Sequence, residues 1–236
     1  LLFGGPYSNL QALEALIDRA RARDIAATHM ICTGDGAAYC GDPQAVVARL
    51  RDLKCPIIAG NCEKQLGEGA ADCGCGFEEG TACDLLSAGW YGFASQQIGA
   101  DDRRWMGQLP DLIVFRHAEK RYAALHGGVT DIARFLWETS PQSEFEEELA
   151  CLRSLLGEVD AVIAGHCGLP FQRGIRGTDW INAGVIGMPP HDGRSETRFA
   201  LLNDGQVTIE TLSYDAASAR QRMQDAGLTQ GYHESL

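Results

Sequence analysis

Four short segments of this 236-residue chain carry residues able to hold a metal ion. They are Thr33-Gly34-Asp35-Gly36, Ala59-Gly60-Asn61-Cys62-Glu63, Leu125-His126-Gly127-Gly128 and Ala164-Gly165-His166-Cys167-Gly168. Each follows a short aliphatic or β-branched stretch, which places its polar residue just past the carboxyl end of a strand, where open α/β sheets bind ligands. Asp35, Asn61, His126 and His166 form a nitrogen and oxygen set that suits one divalent transition metal (Mn, Fe or Zn) better than Ca or a thiolate-bound structural zinc. Singly, each has an ordinary reading as well. An Asp or Asn after Gly is common turn chemistry, and either histidine would serve as a satisfied residue on a strand edge.

The elements that must position these residues can be read from periodicity. Residues 1–3 read as the end of a strand. Ser8-x-x-Gln11 has the form of a capping box, and Leu10, Leu13, Leu16, Ile17 and Ala20 give the helix behind it one apolar face. The free N–H groups at that helix start could hold a phosphate oxygen near Ser8 and Asn9, although simple capping explains both residues equally well. Residues 29–32 and 56–59 read as strands with a helix over 43–53 between them, an alternation that implies parallel pairing. The Cys/Gly-rich stretch 67–83 then breaks the pattern and reads as a long loop. Residues 111–117 and 120–126 form a predicted hairpin over Ala118-Glu119. A second capping box, Ser143-x-x-Glu146, opens a predicted helix with Phe145, Leu149, Leu152 and Leu156 at helical spacing. Short strands follow at 161–163, 171–175, 179–181, 198–202 and 207–212, and a last helix begins near Tyr214 or Asp215. Two mixed sheets packed face to face with helices outside fit this order better than a plain doubly wound fold.

Bulk composition narrows the function. The chain is 45% hydrophobic, enough for one domain over 1–236. A net charge of -12 argues against duplex nucleic acid and against anionic membranes as partners, but leaves room for a small phosphorylated substrate held through a metal. No apolar run reaches the length of a membrane helix, and no basic, cleavable leader opens the chain, so a cytoplasmic location is expected. The absent Met and the start inside a strand point to a few residues missing from the front. Nine cysteines in such a chain read by default as free thiols, with disulfides the minority reading.

Taken in order, the motifs resemble the calcineurin-like metallophosphoesterases, in particular the small bacterial phosphodiesterase branch. The family pattern is Asp-x-His, Gly-Asp, Gly-Asn-His-Asp or Glu, a lone His, and Gly-His-x-His. It is followed here as Gly5-Pro6-Tyr7, Gly34-Asp35, Gly60-Asn61-Cys62-Glu63, His126-Gly127 and Gly165-His166-Cys167-Gly168. The segments 39–43 and 180–187 are similar to the family's flanking loops. The resemblance covers residues 3 to about 202. It implies a four-layer α-β-β-α sandwich of two mixed sheets flanked by helices, and a metal-activated water that hydrolyses a phosphomonoester or phosphodiester.

The departures from the pattern fall together. Gly5, Tyr7 and Gly168 stand where the family has metal ligands, and all belong to one of its two metal sites. The resemblance therefore implies a single ion on Asp35, Asn61, His126 and His166, with Tyr7 either hydrogen-bonding substrate or filling the vacated volume. Cys62 stands where the family has its catalytic histidine and would protonate the leaving group. Cys40, Cys62 and Cys167 would surround the pocket mouth by the same resemblance. Ligation of a soft metal by these thiols or by Cys73, Cys75 and Cys83 is the lesser alternative, since the spacing lacks paired Cys-x-x-Cys. Cys32, Cys55 and Cys151 read as core filler. The competing functions are a non-catalytic phosphoesterase-like protein that binds metal or nucleotide or senses redox state, and, more remotely, a thiol hydrolase using Cys62.

Overall fold

The structure, a computed structural model, describes residues 1–75 and 80–236, with side chains for all of these except 82–85. Gly76 and the side chain of Cys83 lie outside the described residues. The chain runs β1 (Leu2–Phe3), α1 (Leu10–Arg21), β2 (Ile31–Cys32), α2 (Pro43–Leu53), α3 (Asn61–Glu68), α4 (Ala82–Gln97), α5 (Ala100–Met106), β3 (Leu112–His117) and β4 (Lys120–Leu125). It continues through α6 (Gln142–Leu156), β5 (Ala161–Ala164), β6 (Phe171–Ile175), β7 (Thr178–Asn182), β8 (Thr197–Asn203), β9 (Gln206–Leu212) and α7 (Ala216–Asp225).

Two mixed sheets result, ordered β2-β1-β8-β9 and β3-β4-β5-β7-β6. The period-2 alternation of strand side chains decides the layering. Leu2, Ile31, Tyr122, Ala124, Ala161, Ile163, Ile181 and Ala200 point inward and form the core between the sheets. Their neighbours point outward. Phe3, Cys32 and Phe199 pack with Leu13, Leu16 and Leu50 of α1 and α2, whereas Ala123, Val162 and Trp180 pack with Phe145, Leu149 and Leu152 of α6. The expected four-layer α-β-β-α sandwich is therefore formed by strands apolar on both faces.

β1 and β2 pair in parallel, as do β4, β5 and β7. Their carboxyl ends deliver the loops holding Gly5, Asp35, His126, His166 and Asn182 to one edge of the sandwich. The hairpin β3-β4 turns through Ala118 and Glu119, both left-handed, as a two-residue connection of this kind requires.

Several local expectations are corrected. α1 is capped by Asn9, whose Oδ1 accepts the Ala12 N–H at 3.0 Å, and not by Ser8, which sits in a left-handed turn with its Oγ accepting the Ala38 N–H. The second capping box does not form either. α6 starts at Gln142, which puts Ser143 inside the helix and leaves Glu146 to pair with Arg176. Residues 56–59 make only a single parallel bridge, Cys32 with Ile57. The stretch expected to be one loop over 67–83 begins inside α3 and ends inside α4. Cys73 and Cys75 are joined as a disulfide rather than free, because left-handed Gly74 between them turns the chain back on itself. Among the described residues no helix is long and apolar enough to cross a membrane.

Candidate metal centre

The centre is organised around His126, which follows β4 and is 2% exposed. Its Nδ1 lies 2.5 Å from the carbonyl oxygen of Thr33. A carbonyl only accepts, so Nδ1 carries the proton and Nε2 turns its lone pair inward. Nε2 faces Asn61 Oδ1 at 3.0 Å, His166 Nδ1 at 3.1 Å and Asp35 Oδ2 at 3.2 Å. Asn61 and Asp35 are held in turn. Asn61 donates from Nδ2 to the Cys73 carbonyl at 2.9 Å, which presents its Oδ1 to the centre, and Asp35 Oδ1 accepts the Cys62 N–H at 3.2 Å.

Lone pairs from four side chains thus converge on one buried point. A proton on Nε2 would satisfy only one of the three facing acceptors, whereas a cation would satisfy all four donors at once. The residues fit a divalent ion on this ground. Among the described residues, Asp35, His126 and His166 are the group of His, Cys, Asp and Glu side chains close enough together to hold one.

Electrostatics follow the geometry. Burial opposes ionisation of Asp35, but the attraction and hydrogen bond of His126, with help from His166, outweigh it and bring its pKa down to about 2. Burial likewise opposes charge on His126, yet neighbouring Asp35 and the Thr33 carbonyl raise its pKa. His166 is lowered to about 4 by burial and by His126. Glu63 supports the centre without joining it. Its carboxylate accepts the N–H groups of Gly60, Asp35 and Gly36 at 2.7 to 2.8 Å, and so ties the start of α3 to the loop after β2. Gly60 is required at this junction, because a Cβ there would lie 2.3 Å from Asp35 Oδ1.

No family model matches the chain. Its structure superposes on a metallophosphoesterase from Sphaerobacter thermophilus with a TM-score of 0.73 at 19% identity, over all of this chain and 96% of that one. A hypothetical protein of Pyrococcus horikoshii gives 0.80 at 14% identity, over 99% and 95% of the two chains. The chain has the calcineurin-like metallophosphoesterase fold. In sequence, an uncharacterised protein of Methanocaldococcus jannaschii is 22% identical over 244 residues, covering 92% of this chain and 88% of that one.

Within this fold the volume beside Gly5 is filled. A Cβ at Gly5 would lie 2.6 Å from the Tyr7 ring and 2.8 Å from Val185, so the tyrosine occupies the space an acidic side chain at position 5 would need. Gly168 faces the same ring and Val185. Burial first, then the nearby charges, push the Tyr7 phenol well above its usual pKa, which leaves it neutral and a poor ligand.

The structure moves other expected residues away from the site. Tyr7, Asp35, Asn61, His166, Cys75 and Cys167 line a cavity of about 380 Å³. Ser8 and Asn9 do not. Both are 1% exposed, and Asn9 also donates to the Gly187 carbonyl. Their polar side-chain atoms are engaged in shaping the loop. Cys40 and Cys62 are buried beneath the cavity rather than at its mouth. Cys62 touches the centre through its backbone N–H, and burial followed by the repulsion of Asp35 keeps its thiol protonated. Sequence reasoning missed Thr33, whose carbonyl sets the tautomer. It also missed Phe135 and Trp137 on the cavity wall, which no local pattern marks.

Proposed function

We propose that the protein is a metal-dependent phosphoester hydrolase that acts on a small substrate with one divalent transition ion held by Asp35, Asn61, His126 and His166. The observation that carries this reading is the convergence of four buried lone pairs at the floor of a cavity. When bound, the ion supplies a Lewis acid for a phosphoryl oxygen and a source of nucleophile at neutral pH. The chain's own residues do the rest. Asp35 stays ionised, the Thr33 carbonyl keeps His126 in one tautomer, and the Cys73 carbonyl keeps Asn61 turned toward the centre. Neutral Tyr7 lines the cavity beside them, where its hydroxyl can donate to a phosphoryl oxygen. The buried position of Cys62 favours a positioning role over proton donation to the leaving group.

The filled half-site favours a second reading, a phosphoesterase-like protein that binds metal or nucleotide without turnover. One experiment separates the two. Purified protein is analysed for metal and assayed on bis(p-nitrophenyl) phosphate with and without added Mn, beside His166→Ala. About one equivalent of metal with Mn-dependent nitrophenolate release, both lost in the variant, supports the hydrolase. Metal without release supports the binding protein. A full equivalent retained by His166→Ala removes the assigned ligand set.

A further inference from the structure

The wall above the candidate metal centre is largely aromatic. Phe135 lies 4.3 Å from His166 between ring centroids, and Trp137 stacks on Phe135 at 5.5 Å with the rings within 4° of parallel. Trp137 is 38% exposed, so this row of rings runs from the candidate ligand His166 to the cavity mouth. Tyr7, Tyr39 and Tyr232 supply further rings, and among the described lining residues there is no Lys or Arg, the basic side chains being His166 and the exposed His191.

The Phe135–Trp137 segment is also held in place from behind. Glu148 of α6, 0% exposed, accepts the Val129 and Thr130 N–H groups and pairs with Arg134 Nη1 at 2.6 Å, anchoring the loop that leads into Phe135. A wall fixed before ligand arrives loses little freedom when a ring packs on it.

We infer that the substrate is a phosphodiester with a single negative charge and a flat aromatic substituent, an aryl or nucleobase group, that packs against Phe135 and Trp137. This rests on the hydrolase reading above and narrows it. A dianionic monoester or a polyphosphate brings charge for which the described lining holds no permanent cation, only the exposed His191 beyond His166, in a protein whose own net charge is -12. A singly charged diester needs no more than the one ion, and its ring gains contact with the aromatic row. The cavity is at the small end of the range for small-molecule sites, which suits one ring and one phosphodiester group. In the reaction water adds across one P–O bond. Its oxygen stays on phosphorus, one proton goes to the departing alcohol oxygen, and a phosphomonoester and an alcohol result.

The test compares phenyl p-nitrophenyl phosphate with methyl p-nitrophenyl phosphate, two monoanionic diesters with the same leaving group, and p-nitrophenyl phosphate as the dianion, on Mn-loaded protein. The phenyl diester should exceed the methyl diester in kcat/KM by on the order of tenfold, and the monoester should be the poorest substrate. The phenyl-to-methyl ratio should fall below about threefold in Trp137→Ala and in Phe135→Leu. Equal use of the two diesters, a ratio unmoved by both variants, or preference for the monoester overturns the inference. If no substrate is cleaved, the hydrolase reading fails, and the inference is then read from calorimetric binding of diphenyl against dimethyl phosphate. Tighter binding of diphenyl phosphate that is lost in Trp137→Ala retains the aromatic site, and indifference removes it.

Discussion

Two halves of one small site have gone opposite ways. Around His126, polar atoms of Asp35, Asn61 and His166 lie within hydrogen-bonding distance of one nitrogen, and backbone groups hold Asp35, Asn61 and His126 from behind. Beside it, the Tyr7 ring and Val185 take up the room a side chain at Gly5 would need, while Gly168 keeps ordinary contact distance to both. The first half is an arrangement of lone pairs that is costly when empty, and the second is ordinary close packing. Close apolar packing can thus stand directly beside a buried polar cluster without disturbing it.

The sharpest test of the polar half is Glu63. Glu63→Ala would leave three buried N–H groups unpaired, and should lower unfolding free energy by roughly 3 to 5 kcal/mol in urea denaturation. Metal affinity should fall about 10- to 100-fold, since Asp35 and Asn61 lose their common anchor. A near-neutral effect would mean that the ligands are positioned without it.

The packed half is tested by putting an acid back. Gly5→Asp should destabilise by roughly 2 to 3 kcal/mol, because the new Cβ meets the Tyr7 ring at a residue whose φ is +34°. Combining it with Tyr7→Ala should give a double variant at least about 1 kcal/mol more stable than the sum of the single losses predicts. Strict additivity would show that the ring does not fill the room a side chain at position 5 needs.

Acidification should distinguish the halves again. In ion-free protein His166 takes a proton only near pH 4, against about 6.5 in an unfolded chain. The unfolded state thus binds more protons between those values, and stability must fall as pH drops through the window. His126, raised above its usual pKa, acts in the opposite sense and mainly above this window. Wild type should lose roughly 2 kcal/mol more than His166→Ala between pH 6.5 and 4. Parallel curves would place the effect elsewhere.

The smallest effect is expected at Cys62. Because its thiol lies outside the cavity lining, Cys62→Ser should change turnover less than about threefold, and equally for alkyl and aryl leaving groups. A selective loss on poor alkyl leaving groups, of the 10² to 10⁴ size typical of general acid catalysis, would return the proton-donor role to it.

Much of this was legible in the sequence for a definite reason. Asp35, His126 and His166 each end an apolar strand, and strand-then-ligand is a local pattern that parallel pairing converts into a common edge. The hairpin 111–126 and the helix over 43–53 were equally local. The sequence also determined which candidate ligands are present and where the chain departs from the family pattern. Only the tertiary structure decided what fills the gap. The Tyr7 ring reaches Gly5 through a left-handed turn, and Asn9 takes the helix cap because Ser8 is engaged by the Ala38 N–H thirty residues away. The cavity wall is likewise a product of assembly. Phe135, Met188 and Tyr232 come from loops about fifty residues apart, and no periodicity in any one of them encodes that they meet above His166.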